Sequence, residues 1–131
     1  MGRWMEIVDK NGTIHMECHP GYLLYTSKIF PRVLRDKFPM LTRLDFYSGN
    51  YVDERQVVEG SDLIQLEKEL IIVRKIINYE YFIAGLDNSK FKEYLLEEID
   101  DINQEARDSL DQIIRYIVEA IAKKFKLVVL L

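Results

Sequence analysis

Both histidines and the only cysteine of the chain lie within five consecutive residues, His15-Met16-Glu17-Cys18-His19. Alternate residues of a strand share a face, so His15, Glu17 and His19 could present two imidazoles and a carboxylate to zinc or non-haem iron. The two histidines of such a strand lie about 13 Å apart, too far for one metal ion unless Pro20-Gly21 bends the chain. We therefore predict an exposed hairpin face and keep these three residues as weak metal candidates.

Cys18 is a poor candidate for covalent chemistry. No second cysteine is present for an internal disulfide, which fits a reducing compartment. The adjacent His19 would point to the opposite face of a strand, so no histidine is placed to activate the thiol. Because residues 1–10 also lack the long apolar segment of a secretory signal, the predicted location is cytoplasmic.

A second group of candidate functional residues is a cluster of acidic side chains. Its seven carboxylates, offset by Arg107 alone, belong to Glu97, Glu98, Asp100, Asp101, Glu105, Asp108 and Asp111. Asp100, Asp101 and Glu105 complement the dipole at the start of the last predicted helix, but seven carboxylates exceed that need. One hypothesis is a surface for a basic partner, and the alternative is an ordinary solvated face. The candidate partner-binding residues are Glu97, Asp100, Asp101, Glu105, Asp108 and Asp111.

A basic segment precedes this acidic one. It contains Lys28, Arg32, Arg35, Lys37 and Arg43, with Phe30, Phe38, Tyr47 and Tyr51 nearby. Basic residues interleaved with aromatic rings can bind single-stranded nucleic acid. However, the helical spacing here buries the phenylalanines, no nucleic-acid motif is present, and the net charge of −4 repels phosphate. The sequence therefore argues against nucleic-acid binding.

Composition indicates a soluble globular protein. With 131 residues, 48% of them hydrophobic and 31% charged, the chain is one domain (1–131) with a core of its own. Its apolar runs are far shorter than the roughly 20 residues that span a bilayer, so no membrane is expected. Residues 61–131 hold 14 acidic against 10 basic side chains, which places the acidic surplus in that half.

The first sixty residues are predicted to be mainly sheet. Asn11-Gly12 indicates a hairpin between Trp4–Asp9 and Thr13–Cys18. A two-residue turn would place Glu6 opposite Glu17, whereas a three-residue loop with left-handed Gly12 would pair Asp9 with Thr13. We prefer the second register, because it collects the apolar side chains on one face. Those side chains are Trp4, Val8, Ile14, Met16 and Cys18.

Further elements follow from turn and breaker residues. The predictions are a strand at Tyr22–Tyr25, a helix from Ser27 to Phe38 ended by Pro39, and a second hairpin joining Leu41–Tyr47 to Tyr51–Val58. The buried stripe of that helix would contain Phe30, Val33, Leu34 and Phe38.

A long helix, Leu63–Ile83, is the predicted centre of the fold. It shows two adjoining apolar stripes, Leu66-Leu70-Val73-Ile77 and Ile72-Ile76-Tyr79-Ile83, which suggests a helix wedged between the sheet and other helices. If both stripes are buried, Leu70→Ala or Ile76→Ala should cost about 2–5 kcal/mol. Glu69 and Glu80 also fall in the apolar arc, where a carboxylate is costly unless it is paired or exposed.

Two helices and an apolar tail complete the pattern. One helix contains Phe91 to Ile102, and the last runs from about Gln104 to Lys126 with an external charge ladder at Asp111, Arg115 and Glu119. The tail Leu127–Leu131 is too apolar to be solvated. It is expected to form a strand, to dock on the core, or to hold a homo-oligomer together.

Together these patterns predict an α+β fold. An antiparallel sheet of four or five strands from residues 1–60, with one short helix, packs against three helices from residues 61–131. No local motif of the common enzyme classes is present and no cofactor is implied. The favoured function is a non-enzymatic interaction module that engages a basic protein, as inhibitor and immunity proteins do against cationic toxins. The alternative is a metal- or small-molecule-dependent enzyme centred on His15, Glu17 and His19, with Glu6 as a further member.

Overall fold

The computed structural model describes residues 4–21, 23, 25–45 and 55–130. Within these residues the chain has the predicted α+β class, with a four-stranded antiparallel sheet and several helices. The elements are β1 (Trp4–Val8), β2 (Ile14–Cys18), α1 (Thr26–Ile29), α2 (Arg32–Arg35), α3 (Pro39–Asp45), β3 (Arg55–Val58), α4 (Ser61–Ile76), α5 (Glu80–Ala84), α6 (Ser89–Glu97), α7 (Ile99–Lys123) and β4 (Lys126–Leu130). No helix in the described ranges is long and apolar enough to cross a bilayer.

The apolar tail forms a central strand of the sheet. The strand order is β2-β1-β4-β3, so β4 pairs with β1 on one side and with β3 on the other. Of the three expectations for the tail, the strand is confirmed, and the sheet is therefore not confined to residues 1–60. Leu127 and Val129 are buried in the core, so these two side chains of the tail are not exposed, whereas Lys126, Val128 and Leu130 lie on the other face of the sheet.

The first hairpin has the predicted loop but not the predicted face. Gly12 has φ +82°, and the Asp9 amide donates to the Thr13 carbonyl, as the three-residue loop requires. A bulge then shifts the register, because Ile7 pairs with Met16 while Val8 pairs with Ile14. The extra residue is His15, and its insertion restores the unfavourable Glu6–Glu17 pair that the other register predicted.

The bulge divides the apolar residues of the hairpin between two faces of the sheet. Met5 and Ile7 lie on the helix-covered face, where Met16 and Cys18 pack against the same core. Trp4, Val8 and Ile14, which were expected beside Met16 and Cys18, lie on the opposite face, here called the open face. The prediction of a single apolar face is therefore wrong.

Residues 41–45 of the strand expected at Leu41–Tyr47 lie in a helix, α3, and residues 46 and 47 are outside the described ranges. Pro39 begins α3 instead of ending the preceding helix, and its missing N–H costs nothing in a first turn. The Glu69 carboxylate of α4 accepts hydrogen bonds from the amides of Met40 and Leu41. A side chain 28 residues away thus caps α3, and no pattern local to residues 39–45 could show it.

Two single-turn helices stand where one helix was expected from Ser27 to Phe38. Phe30 is extended (φ −125°, ψ 145°), because a residue that precedes proline is disfavoured in the helical region. The Asp45 carboxylate accepts from the Ser27 amide at 2.6 Å and caps α1. Phe30 and Phe38 are buried as predicted, but Val33 is 76% exposed.

The predicted central helix is broken in two. Helix α4 ends at Ile76, and the extended Ile77 (ψ 129°) redirects the chain into α5. The stripe that contains Leu66, Leu70, Val73 and Ile77 is buried. Ile72 and Ile76 of the second stripe are 48% and 42% exposed, so a fully buried second stripe is wrong.

The C-terminal helices meet at Glu98. Asn88 caps α6, since its side chain accepts from the Phe91 amide at 3.0 Å. Helix α7 begins at Ile99, earlier than predicted, and ends with Lys124 in the left-handed conformation (φ 58°). The third predicted strand at 22–25 involves the undescribed residues 22 and 24, and Leu23 lies in a turn. Residues 46–54, which include most of the second predicted hairpin, lie outside the described residues.

Candidate interaction surface

The acidic residues gather where α6 meets α7. Glu97 ends α6, and Asp100 and Asp101 lie in the first turn of α7, where the helix dipole favours negative charge. Glu105 and Asp108 follow on the next turns of α7 and are exposed. We call Glu97, Glu98, Asp100, Asp101, Glu105 and Asp108 the acidic corner. Five of the six predicted partner-binding residues belong to it.

The sixth residue, Asp111, is paired with Arg74 of the same chain, and its side chain remains 42% exposed. Its two carboxylate oxygens accept from Nε and Nη2 of Arg74, at 2.7 and 3.2 Å. The hydrogen bond from Arg74 holds the pKa of Asp111 below its usual range. Asp111 therefore ties α7 to α4. Of the expected ladder, the positive charge of Arg115 also lowers the pKa of Asp111, while Glu119 pairs with Lys123 at 2.6 Å.

Exposed aromatic rings lie beside the acidic corner. Phe91 and Tyr94 of α6 are 50% and 58% exposed, and Leu96 is also exposed. All nine residues of α6 are described, and none of them is fully buried. Only Leu95 packs partly against the core, so α6 presents most of its apolar area to solvent. Helical spacing in the sequence predicts that Phe91 and Tyr94 lie on the same side of α6. Their exposure to solvent could be seen only in the structure, because it depends on which other described residues pack against that side.

Buried amides position the neighbouring segment. Asn103 of α7 accepts from the Tyr79 amide at 2.8 Å, and its Nδ2 donates to Asn78 Oδ1. The same Asn78 oxygen caps α5 by accepting from the Glu80 amide. This small network joins the break after α4 to α7. Sequence reasoning missed it, because Asn103 falls between two predicted helices.

The histidine cluster is separated by the bulge in β2. His15 Nε2 lies 2.8 Å from Asp9 Oδ2, and its ring stacks on Phe125 with centroids 4.6 Å apart. His19 Nδ1 instead accepts from the Gly21 amide. The hydrogen bond from His15 lowers the pKa of Asp9. Within the described residues no group of three His, Cys, Asp or Glu side chains could hold a metal ion.

The remaining candidates have structural roles. Burial raises the pKa of the Cys18 thiol, which disfavours the nucleophilic thiolate. A carboxylate in an apolar arc was expected to be either paired or exposed. Glu69 is 2% exposed and is paired with the α3 amides, whereas Glu80 is exposed at the start of α5.

The basic segment does not form an aromatic-lined nucleic-acid groove in the described residues. Phe30 and Phe38 are buried against each other, with ring centroids 5.7 Å apart. Arg43 is committed to Gln56, Asp62 and the Val57 carbonyl. Tyr47 and Tyr51 lie outside the described residues.

A shallow groove of about 510 Å³ opens between α1 and α5. Ser27, Lys28, Tyr81, Phe82 and Leu86 are among its lining residues. Among its described lining residues, apolar side chains lie beside the ammonium group of Lys28, and no acid is paired with a base and no nucleophile with an activating group.

Comparison with known proteins gives no match to a family model, to a curated protein or to a solved structure. The chain is an α+β protein by its fold, and its function is inferred from the geometry and charge of its described residues.

Proposed function

We propose that the protein is a non-enzymatic interaction module that binds a basic partner protein through the acidic corner. The observation that carries the proposal is the exposure of Phe91 and Tyr94 on α6, the helix that ends at Glu97 of that corner. A cluster of carboxylates without exposed aromatic side chains would fit an ordinary solvated surface equally well. Aromatic anchors rimmed by like charge are typical of an interface in which a desolvated centre supplies affinity.

The charge layout supports fast association. Six carboxylates on adjoining turns of α6 and α7 create a negative potential that would steer a cationic protein towards this end of the molecule. Gln104 donates to Asp108 and accepts from Arg107, so the one cation between Glu97 and Asp111 in the sequence is held on the surface of α7. Lys90 and Lys92 of α6, on either side of Phe91, offset part of the negative field.

Hydrogen bonds tie α7, which carries half of this surface, to the rest of the fold. The Arg74–Asp111 pair and the Asn103 network hold α7 to α4 and to the start of α5. A surface that needs little reorganisation loses little conformational entropy on binding. Inhibitor- and immunity-type proteins combine these properties, and a cationic toxin or enzyme is the partner class that fits.

The test begins with capture from the host lysate, followed by association kinetics with the purified partner. Reversing Asp100, Asp101, Glu105 and Asp108 to lysine should slow association by about 10-fold or more at low salt. Phe91→Ala with Tyr94→Ala should mainly speed dissociation.

The matched control reverses Glu59, Glu67, Glu80 and Glu119, which lie outside the corner. Its association rate should stay closer to that of the wild type than the corner variant's rate does. Equal rates for the corner variant and the wild type, or a partner without a basic surface, would defeat the proposal.

A further inference from the structure

The open face of the sheet is amphipathic, and none of the described helices covers it, although Val8 and Val128 at its centre are only 7% exposed. Ile14 and Val57 are 49% and 44% exposed on it, although they lie on paired strands. A shallow concavity of about 400 Å³ follows this face, and its described lining residues belong to the strands and the β1–β2 loop. The apolar side chains of the face are Trp4, Val8, Ile14, Val57, Val128 and Leu130.

Charges on this face are sorted by strand. Glu6 and Glu17 are direct partners on β1 and β2, which gives that half of the sheet two carboxylates. Lys126 on β4 and Arg55 on β3 give the other half two cations. Residues that pair across antiparallel strands point to the same side, so all four side chains project from the open face.

We infer that the open face binds a second copy of this chain, with a two-fold axis parallel to the strands. That rotation lays β1 over the partner's β4 and β2 over the partner's β3, so the acidic half of each copy meets the basic half of the other. A two-fold axis across the strands would instead set Glu6 and Glu17 near their own copies, which is repulsive. Stacked sheets lie about 10 Å apart, within reach of paired Glu and Lys side chains.

The size of the face sets the strength of the dimer. Four strands of about five residues cover roughly 17 × 19 Å, which is small beside a standard interface of about 800 Å² per partner. The dimer is therefore weak and concentration-dependent. It also lies on a surface different from the acidic corner, so it does not depend on the proposed function.

Two single charge reversals provide the test. Glu6→Lys leaves Glu17 as the one carboxylate among the four described charges of the face, and Lys126→Glu leaves Arg55 as the one cation, so each reversal gives the face an excess of one sign. Sedimentation at low salt should show that each variant dimerises at least roughly 10-fold more weakly than the wild type. An equimolar mixture of the two should recover association to within about threefold of the wild type, since the reversed charges then complement each other.

Two controls carry the same charge changes elsewhere. Lys68→Glu on α4 and Glu80→Lys on α5 are exposed and lie off the sheet, so neither should change self-association. Circular dichroism checks that each variant is folded, and the mixture experiment keeps the test valid if one variant is less stable. A wild-type chain that stays monomeric up to about 1 mM, or a mixture no stronger than its components, would overturn the inference.

Discussion

The two long sides of helix α4 have similar hydrophobicity and different surroundings. One side is at most 1% exposed and contains Leu63, Leu66, Leu70 and Val73. The other side is 37% to 48% exposed and contains Ile64, Ile71, Ile72 and Ile76, interspersed with Lys68 and Lys75. An apolar stripe is buried only where another element lies against it, and periodicity cannot show whether one does.

The largest effect of a substitution on α4 is expected on its buried side. Leu70→Ala should lower the free energy of unfolding by about 2–5 kcal/mol, because it removes a fully buried side chain and leaves a cavity. Urea denaturation measures the change. A loss below about 1 kcal/mol would mean that this side of α4 is not part of the core.

A smaller effect is expected at the buried carboxylate of the same helix. Glu69→Gln keeps the shape but turns one acceptor oxygen into a donor, so an amide of Met40 or Leu41 loses its partner. The expected cost is about 1–3 kcal/mol. Glu80→Gln is the matched control at an exposed position and should be nearly neutral. Equal costs for the two variants would contradict the capping role.

The exposed side of α4 should tolerate truncation. Ile72→Ala or Ile76→Ala should each cost less than about 1 kcal/mol, because both side chains remain largely hydrated and alanine is the better helix former. Urea denaturation of these variants alongside Leu70→Ala compares the free-energy cost of truncation on the two sides of α4. A cost of 2 kcal/mol or more, by that same scale, would show that a further element or partner covers this side.

The smallest effect, and one that depends on pH, is expected at the edge of α4 that faces α7. The folded-state pKa of Asp111 is depressed by Arg74, so this pair stabilises the protein above the unfolded carboxyl pKa of about 3.9. That stabilisation is lost as the pH falls through the folded-state pKa. Asp111→Asn should therefore be less stable than the wild type at pH 6, and the difference should vanish in strong acid.

The α+β class and several of its elements could be predicted from the sequence, because the patterns that indicate them are local. Gly12 is left-handed in the predicted loop, and Leu66, Leu70 and Val73 form the predicted core stripe. Each depends on residues within one or two turns of each other.

The predictions that the structure contradicts failed mainly because of interactions between residues far apart in the sequence. Glu69 caps α3 across 28 residues, and Asn103 fixes the break after α4 across 24. The bulge at His15 separates His15 from the other metal candidates, and it places Met16 and Cys18 on the opposite face of the hairpin from Ile14. At the acidic corner the charges were visible in the sequence, but the exposure of Phe91 and Tyr94 depends on what α6 packs against.

The central position of β4 has a consequence for how the chain folds. Strand β1 leaves the ribosome more than a hundred residues before β4, yet neither β1 nor β3 has its shared neighbour until β4 has been made. Closing such a long loop is entropically costly and slows folding. In the meantime Met5 and Ile7 would be exposed on a nascent strand, so we expect chaperone binding to the growing chain and sheet formation only after β4 emerges.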